Sequence, residues 1–232
     1  MIFVGYPCIG KSTLSLTNKA EGCHVATISR EWFKVGNHYI PNHFDIIDNI
    51  TKQLYKQHIS TALMCDPLYY EINVNRNTFD GPVYLDLDSD VFYVNRKRDP
   101  RWYVVYAKIA MELSLQGFYV FTSSHGNVRN EIYELSFNEH YFEKFKIYAI
   151  YPVPELGTEW IDKLHVRWLA TGLEKDHRAF CFASMHYRAS IYEMRDNSLF
   201  NDIQITDINY DLRQLIENYV NDDGSNSANI SN

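Results

Sequence analysis

The chain has 232 residues, of which 46% are hydrophobic and 22% are charged. This length allows one sizeable α/β core with an inserted subdomain, and the composition excludes disorder for most of the chain. The formal net charge of −7 provides no overall attraction to nucleic acid, although a local basic patch can still bind a phosphate. The four cysteines are scattered without a zinc-binding pattern, so free thiols in a reducing cytosol are expected.

No stretch of the sequence approaches the roughly 18 apolar residues of a membrane span. The apolar run at the N-terminus is too short for the central region of a signal peptide. We therefore predict a cytoplasmic protein, located in the host cytoplasm if it is viral, with no membrane partner.

The predicted elements begin with a strand over residues 2–4 and a helix over residues 12–18. Residues 22–80 are irregular, with a helix predicted over 44–63 and turn residues over 73–80. We interpret the segment 22–80 as an insertion or a substrate-side subdomain.

Strands and helices alternate regularly after this segment. A strand is predicted over 83–87, a helix from 99 to 117, a strand over 118–122, a helix over 128–135 and a strand over 145–151. These are followed by a helix over 158–169, a loop over 170–177, a helix over 178–194, a strand over 203–208 and a helix over 211–220. Strands separated by helices imply a parallel sheet with right-handed crossovers. One domain over residues 1–221 is predicted, and the tail 222–232 is expected to be disordered.

The strongest motif is Gly5-Tyr6-Pro7-Cys8-Ile9-Gly10-Lys11-Ser12, which satisfies the P-loop (Walker A) pattern G-x-x-x-x-G-K-[ST]. In this pattern, backbone N–H groups surround nucleotide phosphates, Lys11 reaches the β and γ oxygens, and Ser12 ligates Mg²⁺. We therefore predict a three-layer α/β fold of the P-loop NTPase class, with a central, mostly parallel sheet flanked by helices. The residues expected to bind ATP are Gly5, Cys8, Ile9, Gly10, Lys11, Ser12 and Thr13, and we call Gly5–Thr13 the phosphate loop.

An acidic pair, Asp86 and Asp88, lies where the strand over 83–87 ends. Strand alternation points both carboxylates to the same side. Asp86 would hold the Mg²⁺ shell through water, and Asp88 would accept a proton from the phosphorylated group or orient it. The alternative is an acidic loop that caps the following helix.

Polar residues also follow the strand over 118–122. They are Thr122, Ser123, Ser124 and His125, with Arg129 in the helix after them. Hydroxyl groups and an arginine suit an anionic acceptor or a water near the γ-phosphate. A lone histidine such as His125 is more often a hydrogen-bonded structural residue than a catalyst.

A basic segment late in the chain contains Arg167, Lys175, His177 and Arg178. In phosphotransferases such a segment closes over the nucleotide as a lid, here at about 167–180, and places guanidinium groups on the transferred phosphoryl group. The alternative is a solvated helix end whose cations match the helix dipole.

Taken in order, these four segments resemble the small P-loop kinases of the adenylate, shikimate and gluconate kinase type, over most of the chain outside 22–80. The resemblance implies that Asp86 and Asp88 face the acceptor and that Arg167 or Arg178 contacts the nucleotide phosphates. The chain is also similar to small P-loop proteins of bacteriophages. They share an Asp-Leu-acidic-Ser element, an Asp-Pro-x-Trp helix start and a Ser-Ser-His strand end, found here at residues 86–89, 99–102 and 123–125.

The leading hypothesis is a Mg-ATP-dependent kinase that phosphorylates a nucleotide or a related small metabolite. The candidate catalytic residues are Lys11, Asp86, Asp88, Arg129 and Arg178, the additional ATP-binding residue is Arg167, and the Mg²⁺ ligands are Ser12 and Asp86.

Two alternatives remain open. In the first, the acceptor is a hydroxyl of nucleic acid, either a strand end or a hydroxymethylated base of phage DNA, and aromatic residues between Trp32 and Tyr70 stack on the base. In the second, the protein is a nucleotide-dependent ATPase or binding module without a small acceptor. The sequence also leaves open a homodimer.

Overall fold

The structure is a computed structural model that describes residues 1–14, 34–35, 38–39, 82, 84–87, 89, 93–94, 97–98, 102–115, 117–138, 141, 144, 146–196 and 200–228. Most of the predicted insertion 22–80, including its predicted helix over 44–63, lies outside the described residues. Asp88 also lies outside them.

The fold is α/β, with a sheet of five parallel strands flanked by helices. The strands are β1 (Ile2–Gly5), β4 (Tyr84–Asp86), β7 (Tyr119–Ser123), β8 (Ile147–Pro152) and β9 (Asn201–Ile205), in the spatial order β4-β7-β1-β8-β9. Two short antiparallel pairs stand apart from this sheet, β2 (Lys34–Val35) with β3 (His38–Tyr39), and β5 (Tyr93–Val94) with β6 (Lys97–Arg98).

The helices are α1 (Trp102–Leu115), α2 (Gly126–Ser136), α3 (Gly157–Thr171), α4 (Glu174–Arg195) and α5 (Leu212–Ala228). A 3₁₀ turn, Pro154–Leu156, precedes α3. Residues 11–14 form a helical turn directly after the phosphate loop's second glycine. None of the helices within the described ranges is both long and apolar enough to cross a membrane.

The chain divides into two compact units, of which the first comprises Met1–Phe3 and Ser15–Lys146. Its core is aromatic: the ring of Phe3 lies 5.7 Å from that of Tyr119 and 5.3 Å from that of Phe121. Strands β4 and β7 pair in parallel, with Asp86 opposite Phe121. Because Asp86 is the last residue of β4, its carboxylate lies at the carboxyl end of a buried strand, as the sequence predicted.

The second unit comprises Val4–Leu14 and Ile147–Asn232. It contains the whole phosphate loop together with β8, β9, α3, α4 and α5. All six residues of β8 are buried, and the Tyr6 N–H donates to the Ile150 carbonyl at 2.9 Å. The phosphate loop is therefore held in a unit whose remaining chain comes entirely from the C-terminal part of the sequence.

Helix α1 confirms the prediction made from its flanking residues. It begins at Trp102, directly after the predicted Asp99-Pro100 start, and Gly117 follows its end with φ of 90°. A positive φ is readily adopted by glycine and stops a helix.

Two predicted boundaries were wrong. The loop expected over 170–177 consists only of Gly172 and Leu173, because α4 begins at Glu174 rather than Arg178. Gly172 takes the left-handed conformation with φ of 63°, which ends α3 within one residue. Helix α5, predicted over 211–220, runs from Leu212 to Ala228. Its last turns contain Gly224 and several Asn and Ser residues, which have low helix propensity, but no proline that would end the helix.

Candidate phosphate-binding site

The phosphate loop connects the carboxyl end of β1 to the helical turn that begins at Lys11. Two of its residues have positive φ, Cys8 at 70° and Gly10 at 93°. The Leu14 N–H donates to the Gly10 carbonyl at 3.0 Å, which closes the first turn of the helix. Alternation of right- and left-handed conformations turns successive N–H groups toward one concavity, which favours an anion. The helix N-terminus adds its positive dipole end to the same place.

A side chain at Gly5 would force neighbouring side chains to move. A β-carbon at this position would lie 2.5 Å from Ile9 Cδ1 and 2.9 Å from Lys11 Cδ. The Lys11 side chain folds back over the loop, and its Nζ donates to the Gly5 carbonyl at 3.1 Å. The ammonium group is thus held beside the loop, where a phosphate in the concavity would attract it.

Two side chains that the sequence analysis did not single out contact the phosphate loop. Trp160 of α3 donates its indole N–H to the Pro7 carbonyl at 3.1 Å. Tyr210, which precedes α5, donates its hydroxyl to the Ile9 carbonyl at 2.8 Å. These residues follow the loop by 153 and 201 positions, so no local pattern could have indicated the contacts.

Lys163 is a second cation near this part of the loop. Its Nζ lies 4.6 Å from the ring centre of Trp160 and 5.0 Å from that of Tyr210. Both distances are within the range of a cation–π interaction. Burial lowers the pKa of Lys163, because removal from water disfavours the charged form.

Ser12 and Thr13 lie on the exposed side of the first helical turn. A hydroxyl at this point suits Mg²⁺, which accepts a few oxygen ligands from protein and substrate and keeps several waters. Within the described parts of the chain, no group of three His, Cys, Asp or Glu side chains is arranged to hold a metal.

The first unit contains two of the other described catalytic candidates. Asp86 is 6% exposed at the end of β4, and Arg129 is 7% exposed in α2. Both charges are thus largely removed from water, which is costly unless other polar groups compensate them. Asp88, the preferred acceptor residue, lies outside the described residues.

His125 has the hydrogen-bonded structural role that its position in the sequence favoured, and Tyr106 has a structural role that was not predicted. His125 is the N-cap of α2, where its Nδ1 accepts from the Asn127 N–H at 3.3 Å. Tyr106 is fully buried, donates its hydroxyl to the Leu87 carbonyl at 2.6 Å and accepts from the Ser123 N–H at 2.8 Å. Tyr106 therefore joins the ends of β4 and β7, the two strands that carry the predicted polar residues.

The predicted lid residues lie on two helices joined by a tight turn. Arg167 Nε is 2.9 Å from a carboxylate oxygen of the buried Asp176, whose other oxygen accepts from the Thr171 hydroxyl at 2.6 Å. The ring of His177 stacks on that of Trp168 with centroids 4.1 Å apart. Arg178 is exposed on α4. Arg167 thus has an internal ion-pair partner, whereas the Arg178 side chain reaches the surface.

No protein-family model, curated protein or solved structure matches the chain. Function is therefore inferred from the geometry of the phosphate loop and from the charged side chains described above.

Proposed function

We propose that the protein is a Mg-ATP-dependent phosphotransferase with a three-layer P-loop fold, which acts on a nucleotide or a related small metabolite. The observation that carries the proposal is the conformation of the phosphate loop. Positive φ at Cys8 and Gly10 occurs between a buried parallel strand and a helix N-terminus, with Lys11 folded back across the loop. In open α/β sheets, ligands bind outside the carboxyl ends of the strands, where this loop lies.

The donor half of the reaction is assigned to the phosphate loop. Its amides and the helix N-terminus would bind the phosphate oxygens, and Lys11 would move from the Gly5 carbonyl to the β and γ oxygens. Ser12 would ligate Mg²⁺, and when bound the ion neutralises charge that develops on the phosphates. The chain's own contribution is positioning and charge stabilisation.

The acceptor half is assigned to the acidic pair and to the arginines. Asp88 would orient the accepting hydroxyl or phosphate, and Asp86 would support the Mg²⁺ shell through water. Arg129 and the exposed Arg178 are the cations proposed to act on the transferred group or the acceptor. Arg167, tied to Asp176, would contact the nucleotide through the part of its guanidinium that faces away from that carboxylate.

The first test makes two measurements on purified protein: the binding of Mg-ATP, by calorimetry, and the rate of phosphoryl transfer from ATP. We expect Lys11→Ala to lower the transfer rate by at least about a hundredfold, the usual cost of removing one preorganised charge-stabilising group. Its unfolding temperature should stay near the wild-type value, because Lys11 is only partly buried and a single hydrogen bond contributes little to stability. Lys144→Ala, at an exposed lysine of the first unit, is the matched control and should retain full activity.

The second test locates the transferred phosphoryl group. Protein is incubated with γ-labelled ATP and Mg²⁺, either alone, with a panel of mononucleotides, or with single- and double-stranded DNA. Label on a mononucleotide supports the proposal, and label on DNA favours the nucleic-acid kinase. Repeated phosphate release without an acceptor indicates an ATPase or binding module. A wild-type protein that binds no nucleoside triphosphate would refute the proposal.

A further inference from the structure

Two aromatic side chains bracket the strained residue of the phosphate loop. Trp160 bonds the Pro7 carbonyl and Tyr210 bonds the Ile9 carbonyl, one on each side of Cys8. Cys8 has φ of 70°, a left-handed conformation that is unfavourable for any residue with a β-carbon. The Trp160 bond thus restrains the peptide group before Cys8, and the Tyr210 bond restrains the peptide group before Gly10, the two residues of the loop that have positive φ.

The two donors are rigidly held. Trp160 is fully buried, and its ring and that of Tyr210 are stacked with an interplanar angle of 16° and centroids 6.2 Å apart. The ring of Tyr6 meets Trp160 edge-on at 6.4 Å, and the Lys163 ammonium lies over both stacked rings. Side chains fixed by packing on several sides lose little entropy when they donate a hydrogen bond.

The effect of these two hydrogen bonds on ligand binding depends on which way the bonded carbonyls point. A peptide group places its C=O and N–H on opposite sides, so a carbonyl held by a donor outside the concavity leaves the next N–H free to turn inward. If the peptide between Pro7 and Cys8, or that between Ile9 and Gly10, rotated, the concavity would lose an N–H group and gain a carbonyl dipole that repels an anion.

We propose that Trp160 and Tyr210 are positioning residues for polyphosphate binding, because they hold the Pro7 and Ile9 carbonyls outward while the loop amides face the ligand. This inference rests on the proposed nucleotide-binding function and adds residues that the P-loop pattern does not contain. We call the hydrogen bonds from Trp160 and Tyr210 to the loop the clamp. Because the clamp supports only the part of the site that would bind phosphates, its loss should weaken the binding of Mg-ATP and of inorganic tripolyphosphate to the same extent.

The test compares two tyrosine hydroxyls of the same unit. Tyr210→Phe removes the bond to the loop, while Tyr187→Phe removes an equivalent bond, from the Tyr187 hydroxyl to the Val153 carbonyl at 2.9 Å. Both changes keep the ring and delete one oxygen. Dissociation constants are measured for Mg-ATP and for Mg-tripolyphosphate, and unfolding temperatures are measured in parallel.

We expect Tyr210→Phe to weaken binding of both ligands by about fivefold to tenfold, the effect of one neutral hydrogen bond. Tyr187→Phe should stay within about twofold of wild type, even if both variants lose similar stability. Trp160→Phe should weaken binding at least as much as Tyr210→Phe. Replacing Cys8 with glycine in the Trp160→Phe protein should restore most of the affinity, because glycine adopts positive φ without strain and the loop then needs less support.

Unchanged affinity in Tyr210→Phe, or an equal loss in Tyr187→Phe, would overturn the clamp and leave the proposed function intact. Failure of Cys8→Gly to restore binding would also count against it, because the clamp is inferred to oppose the strain at this residue. If wild-type protein binds neither ligand, the proposed function itself fails and the clamp falls with it.

Discussion

Alanine substitutions at two glycines with positive φ, one inside and one outside the phosphate loop, can separate an effect on ligand binding from an effect on stability. Gly10 has φ of 93° and Gly172, in the turn between α3 and α4, has φ of 63°. A β-carbon at Gly10 would meet only Leu212 Cδ2, at 3.9 Å, and one at Gly172 would meet nothing within 4 Å. Alanine at either position therefore adds backbone strain without a steric clash.

The expected loss of stability is similar for the two variants. An L-residue in the left-handed region costs about 1–2 kcal/mol. Lower entropy of the unfolded chain offsets about 0.4–1 kcal/mol of this cost. A net loss of about 1 kcal/mol follows for each, or about 2–4 °C in unfolding temperature for a chain of this size. Gly10→Ala should show the larger loss of stability of the two variants, because the φ of Gly10 lies farther from the left-handed minimum near about +57°.

Ligand binding should distinguish the variants. Gly10→Ala would rotate a peptide of the concavity and remove a hydrogen bond to a charged phosphate, worth about 1.5–3 kcal/mol. The Mg-ATP dissociation constant should rise by about 10- to 100-fold. Gly172→Ala should leave it within about twofold. Calorimetric titration and urea unfolding of both proteins give the two quantities. If Gly10→Ala lost stability yet bound Mg-ATP normally, the loop would not be the phosphate site.

Two further predictions concern stability. Asp176→Ala should cost about 1–2 kcal/mol in urea unfolding, because it leaves the partly exposed Arg167 and the Thr171 hydroxyl without their buried acceptor. The control Asp196→Ala removes an exposed pair at 3.5 Å and should cost below about 0.5 kcal/mol, and equal losses would contradict the reasoning. Burial also raises the pKa of four tyrosines above the ordinary value of 10.0: Tyr6, Tyr151, Tyr187 and Tyr210. The folded state holds these protons more tightly than the unfolded state, so their contribution is complete below pH 10 and is lost as the pH rises above it. Unfolding free energy should therefore fall above pH 10, and a flat profile from pH 9 to pH 11 would contradict this cause.

The elements that could be predicted from sequence are those whose signals are local. The phosphate loop has a fixed spacing of two glycines, a lysine and a hydroxyl between an apolar run and a helix. Helix α1 has a start signal before Trp102 and a glycine after its end. The parallel sheet followed from the alternation of apolar runs with helical segments. Each of these inferences uses residues separated by fewer than about twenty positions, where backbone propensity and side-chain periodicity act directly.

The lid segment shows where local signals mislead. Residues 170–177 contain a glycine and several polar residues, which is typical of a loop. In the structure, Gly172 ends one helix, and Asp176 in the first turn of the next helix bonds Thr171 and pairs with Arg167. An aspartate near a helix N-terminus is stabilised by the dipole, and here it also compensates a cation of the preceding helix. Only the antiparallel packing of α3 against α4 brings these side chains together.

The phosphate loop depends both on a local sequence motif and on contacts that arise only from tertiary packing. Its proposed ligand-facing side depends on Gly5, Gly10 and Lys11, which the motif specifies. Its outer side depends on Trp160 and Tyr210, which no spacing rule connects to it. The motif tolerates any residue at position 8, yet the conformation there is one that glycine adopts most easily. A cysteine at this position therefore benefits from support outside the motif, and the Trp160 bond to the preceding peptide supplies that support. The same eight-residue pattern without donors behind it would form a less stable loop, so these tertiary contacts are part of the phosphate site that we propose.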